Sequence, residues 1–135
     1  MVADELDHGP LDGSGTPRGV VRKCIDACLA CAQACTACAD AGLLEPHLEA
    51  RTKCIRLSLD CADVCGATAR VLTRQTLPDD FAIRTLVLAC AAVTAATALE
   101  CLEHDAPEHE RCRTCAEACR ACERACLALA KESVG

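Results

Sequence analysis

The chain has almost none of the side chains that usually fill a core. Its 135 residues include no Trp, no Tyr, one Phe (Phe81) and one Met, the first residue. Without aromatic rings there is no platform on which bases could stack. Asp and Glu outnumber Lys and Arg by 20 to 14, for a net charge of −6. A phosphate backbone would need a basic stripe instead, so no nucleic-acid partner is expected. The opening MVADELDHGPLDGSGTPRG is acidic and has no apolar core segment, unlike a secretory signal. No run of about 18 apolar residues is evident, so no membrane partner is expected. A cytoplasmic location follows as the expectation, and thiols stay reduced there. There is no Ser-His-Asp set, phosphate loop or paired-carboxylate cleft in the pattern. The chain does not read as an enzyme.

What fills the gap is cysteine, with 15 residues. That exceeds the roughly 8–10% that marks a disulfide scaffold, but disulfides belong to oxidising compartments. So many reduced thiols in one small domain need a purpose other than crosslinking.

The spacing predicts an all-α fold. Residues 1–16 read as a solvated tail rich in Gly and acids, and 17–135 as one domain. Thr16-Pro17 forms an N-cap followed by Pro at the first helical position. A first helix is expected over about 17–41, stopped by Gly42 in the left-handed conformation. Pro46 should open a second helix reaching about 75. Leu77-Pro78-Asp79-Asp80 should break the chain before a third, about 79–103. Asp105, in Asp105-Ala106-Pro107-Glu108, should cap a fourth over about 107–132. Short links between long helices imply an antiparallel up-down-up-down four-helix bundle.

The cysteines repeat with the helix. The first helix carries Cys31-Ala-Gln-Ala-Cys35-Thr-Ala-Cys38, and the fourth Cys115-Ala-Glu-Ala-Cys119-Arg-Ala-Cys122. The second echoes them as Cys61-Ala-Asp-Val-Cys65. Cys24, Cys28, Cys31, Cys35 and Cys38 step by 4 and 3, as do Cys112, Cys115, Cys119, Cys122 and Cys126. Those are the seam positions of a heptad. Cys54, Cys61 and Cys65 join from the second helix, and Cys90 and Cys101 from the third, with Thr94 and Thr97 between them. All 15 can line one cysteine-lined core. At 1.5 Å per residue each long stripe covers about 20 Å, which makes a tube.

Neighbouring thiols on one helix have Cβ atoms about 5–6 Å apart, whereas a disulfide wants about 3.5–4.5 Å. A shared metal suits the spacing better, because two metal–sulfur bonds of about 2.3 Å hold sulfurs about 4–5 Å apart. Soft thiolates select Cu(I), zinc or iron–sulfur clusters. Zinc favours closed tetrahedral sets, often with C-x2-C knuckles, and the iron–sulfur spacings are absent. Cu(I) is satisfied by two or three sulfurs. One monovalent ion per thiolate also leaves the core near neutral, whereas buried net charge is costly. Many Cu(I) ions are therefore expected. The alternative is a metallothionein-like Zn or Cd buffer. A thiol redox protein would need an exposed, acidic cysteine, and only a residue at the mouth such as Cys112 could serve.

His47, His104 and His109 fall at the two connections expected at one end of the bundle. Imidazole binds copper, so they are candidates for a mouth that admits or hands on the metal. His8 lies in the tail. Arg113, Glu117, Arg120 and Glu123 read as a solvated face.

On these cysteine pairs the chain resembles the bacterial copper storage proteins over about residues 17–132. The resemblance implies Cu(I) storage in thiolate clusters within the bundle, and a homotetramer. It also implies the cytosolic kind: exported members tend to carry Met near the open end, where this chain has His. Exchange with a copper chaperone or cuproenzyme would follow.

Overall fold

A computed structural model of the chain describes residues 17–103 and 110–132. Four helices make up the described chain: α1 Pro17–Gly42, α2 Leu48–Thr73, α3 Asp80–Leu102 and α4 Glu110–Glu132. Each packs on the two neighbours in the ring α1–α2–α3–α4 and not on the helix across it. This is the expected antiparallel bundle. The tail, Thr16 and Asp105 lie outside the described residues.

The helix ends differ from expectation in two places. Gly42 does not stop α1 in the left-handed conformation; it is buried within the helix. Its missing Cβ is what matters, since a Cβ there would come 2.9 Å from Ile55 Cγ1. Glycine therefore lets α2 approach closely. The left-handed residue is His47, with φ 60°, so helical dihedrals begin at Leu48 and not at Pro46. Three consecutive bonds carry the chain out of α1: Leu43, Leu44 and Glu45 donate to the carbonyls of Asp40, Ala41 and Gly42. α2 ends at Thr73, where Gln75 Nε2 donates to the Leu72 carbonyl at 2.7 Å. α3 is capped as its sequence demands, by Ala82 N donating to Asp79 Oδ1 at 2.8 Å.

One expectation about hydropathy needs correcting. By length and composition, α1 and α3 are each apolar enough to cross a membrane. Alanine and cysteine produce this, because both score as apolar without being bulky. In the fold both helices turn their cysteines into the bundle interior.

The core is sulfur along most of its length. All 15 cysteines are buried. Leu72, Ile83, Val87 and Leu129 supply larger hydrocarbon, all from the end where α2 stops and α3 starts. The seam of α2 is continuous: Arg51, Cys54, Ser58, Cys61, Cys65, Thr68 and Leu72 are all buried and step by 3 and 4.

Candidate metal centre

The stripes meet to form a column of sulfur contacts. At the closed end Cys24 lies 3.7 Å from Cys126. Next come Cys28, Cys90, Cys122 and Cys126, whose sulfurs all lie within 4.8 Å of one another. Cys65 continues the column, 3.8 Å from Cys90 and 3.9 Å from Cys122 and Cys61. Cys31, Cys35, Cys61 and Cys119 form a second four-thiol set, and Cys115 touches Cys35 at 3.5 Å. Cys31, Cys65 and Cys122 form a three-thiol set that joins the two. Four helices thus contribute to one line of donors.

The last set lies at the other end of the column and is joined to it through Cys115. Cys38, Cys54 and Cys101 lie within 4.8 Å of one another. Ser58 falls on the α2 seam between this set and Cys61, and its buried Oγ has no partner. Across the seam the Thr97 hydroxyl donates to the Val93 carbonyl at 2.8 Å. Thr94 likewise bonds its own helix, through the Cys90 and Ala91 carbonyls. The threonines therefore space the column without offering it a free hydroxyl proton.

Every cysteine is a free thiol. The sulfur contacts of 3.5–3.9 Å are far beyond an S–S bond of about 2.05 Å. They match the roughly 4 Å between two sulfurs on one trigonal metal with 2.3 Å bonds. Loading then asks for shifts of only a few tenths of an ångström.

Hydrogen bonds divide the thiols by acidity. Cys61 is held well below the ordinary thiol range by its bonds with Cys119, Cys31, Cys35 and Cys65. Cys119 is pushed well above it through Cys115, Cys31, Cys35 and Cys61. Cys90 is lowered to about 4: Cys122 raises it, but Cys126, Cys28 and Cys65 together outweigh that. Each set thus combines thiols that ionise readily with others that keep their protons: Cys28, Cys90 and Cys122 are lowered and Cys126 raised in the first set. Because the metal ligand is the thiolate, uptake must release protons.

Three polar residues of the α2 seam escape a reading by residue type: Ser58; Thr68, whose hydroxyl donates to the Val64 carbonyl at 2.7 Å; and Arg51, only 6% exposed, whose Nη2 donates to Cys112 Sγ at 3.1 Å. Burial alone would lower its pKa; the bond to Cys112 and the charges of Cys112, Cys54 and Glu45 more than reverse that. Cys112 itself is raised: Cys38 lowers it, but Cys54 and burial prevail over the pull of Arg51. All three are readable from spacing, since Arg51, Ser58 and Thr68 fall on the steps of 3 and 4 that the α2 cysteines set.

His47 is exposed, makes no side-chain cap to α2, and belongs to none of the thiol sets. His104 and His109 lie outside the described residues, as does His8. The solvated face of α4 is as expected, with Arg120 Nη1 and Glu123 Oε1 paired at 3.0 Å.

A helical bundle whose interior is a continuous column of reduced thiols is, by class, a container for a soft metal. The family model for copper storage proteins matches residues 18–131. The chain belongs to that family. It is similar to a cytosolic copper storage protein from Streptomyces lividans, solved with five coppers. The two are 56% identical, with a TM-score of 0.83 over 87% of this chain and 97% of that one. The same S. lividans protein, Ccsp, loaded with ten copper equivalents aligns over 97% of this chain and 98% of its own, at 53% identity and a TM-score of 0.82. An uncharacterised cysteine-rich protein of Bacillus subtilis, YhjQ, is 35% identical over 107 residues, covering 79% of this chain and 93% of its own.

Proposed function

We propose that this copper storage protein holds its Cu(I) in the cytosol on Cys24, Cys28, Cys31, Cys35, Cys38, Cys54, Cys61, Cys65, Cys90, Cys101, Cys112, Cys115, Cys119, Cys122 and Cys126. The observation that carries this is the sulfur column: 15 buried free thiols, most of them in contact at distances one copper can bridge. A thiolate shared between two Cu(I) ions satisfies both, so the column can fill without leaving isolated charge. Zinc could occupy the two four-thiol sets, but Zn(II) on four thiolates leaves a net charge of −2 at each in a dry interior.

The mouth is the end where α1 meets α2 and α3 meets α4. Cys38, Cys54, Cys101 and Cys112 come together there, and His47 precedes α2 at the same end. His104 and His109 belong to the other connection at that end by their place in the chain. The three histidines receive copper there and pass it to a chaperone or cuproenzyme. The work is sequestration, and no catalytic step is needed.

Assembly into a homotetramer fits α3. Between Phe81 and Leu102 its only charged residues are Arg84 and Glu100. Phe81, Leu88, Leu99 and Leu102 are exposed on its outer side. A helix apolar all round is normally buried, and other copies of the chain would cover this one.

Anomalous-scattering crystallography of the copper-loaded protein tests the ligand assignment. Copper peaks between the sulfurs of the four helices are expected. Peaks confined to surface carboxylates or histidines would overturn it.

A further inference from the structure

Arg51 is the only buried cation among the described residues. Its Nη2 lies 3.1 Å from Cys112 Sγ, while Nε and Nη1 have no hydrogen-bond partner. A guanidinium left with unpaired donors in a protein interior is costly. Its position needs a reason, and the surroundings supply one. Cys38, Cys54 and Cys101 form a compact set beside it, and Cys112 bonds to the guanidinium as well as to Cys38 and Cys54 of that set. Cys115 joins this set to the rest of the column through Cys38 and Cys101.

Metal-bound cysteine is thiolate, so a filled mouth carries four negative charges, from Cys38, Cys54, Cys101 and Cys112. Guanidinium and Cu(I) each carry one positive charge, and guanidinium does not lose its own. Cys112 and Cys54 act on Arg51 more strongly than the half-exposed Glu45 does. Three Cu(I) ions and Arg51 then balance the four thiolates. A fourth copper would add net positive charge beside a fixed cation.

We propose that Arg51 takes the place of one copper ion at the mouth, so that this set holds three Cu(I) on four thiolates and gives them up most readily. Deeper sets have no buried cation and fill to about one copper per thiolate. Arg51 thereby makes one end of a storage column an exchange site. It is a positioning residue, acting through Cys112 and through its charge. The inference rests on the thiol column being the copper site.

The test compares the reduced full-length protein with its Arg51→Met, Arg51→Gln and Arg51→Lys variants. Native mass spectrometry counts Cu(I) at saturation, and stopped-flow transfer to bathocuproine disulfonate follows removal. Either neutral variant should take up one copper more than the parent. The fast phase of its copper removal should slow by roughly tenfold. Arg51→Lys, which keeps the charge, should restore both values. A purely structural role would not change the count by one ion or be rescued by charge alone. Neutral variants that match the parent in count and rate would overturn the proposal, and so would a lysine variant that behaves like them. A parent protein that takes up no copper would instead defeat the ligand assignment beneath it.

Discussion

At one end of the bundle Leu72, Ile83, Val87 and Leu129 close the thiol column with hydrocarbon. At the other, Arg51 lies across it with a nitrogen on Cys112. The closed end is ordinary protein core. Leu72 and Val87 are fully buried, and the helix that starts there is capped by Asp79. The mouth carries a buried cation, a left-handed His47 before α2, and the three-thiol set of Cys38, Cys54 and Cys101. A cysteine column packs with little bulk, so the empty protein needs stability from somewhere else. The closed end supplies hydrocarbon for the fold, and the mouth leaves a buried guanidinium with unpaired donors.

Changes at different levels of the column should therefore have separable effects. The largest falls in the middle. Replacing Cys31, Cys35, Cys61 and Cys119 with Ala removes a whole donor set while favouring helix. About four coppers should be lost, as counted by elemental analysis. Protein concentration must come from amino-acid analysis, because the chain has no Trp or Tyr. An unchanged count would mean that the column is not the store.

Leu72→Ala probes the closed end. A fully buried leucine truncated to alanine costs about 2–5 kcal/mol, read by urea denaturation of the empty protein. Copper capacity should not change. A loss of capacity without a loss of stability would erase the distinction between the ends. Asp79→Ala is the mildest change. Loss of this N-cap should cost about 0.5–2 kcal/mol and leave copper uptake and release unaltered.

Much of this was legible in the sequence, for a definite reason. Cysteine at alternating steps of 3 and 4 marks a seam whatever the seam is for, so the inward face of α1 and α4 could be read directly. The bundle topology followed from three short breaks. What a heptad does not encode is axial register between helices. That Cys31 would meet Cys61 and Cys119, or Cys28 meet Cys122, was not written in any one stripe. Glycine near a helix end, as at Gly42, serves either a left-handed turn or a close approach, and sequence alone does not separate the two. Arg51 and Ser58 interrupt the cysteine stripe of α2 by residue type. Traced by position, the seam runs through both.

The most direct test of the central claim is a Cu(I) titration of the fully reduced protein against a chromophoric Cu(I) chelator, with Zn(II) titrated in parallel. The account predicts tight uptake of roughly one Cu(I) per cysteine, little zinc, and displacement of any bound zinc by copper. Saturation at two or three coppers, or zinc held in preference, would contradict it.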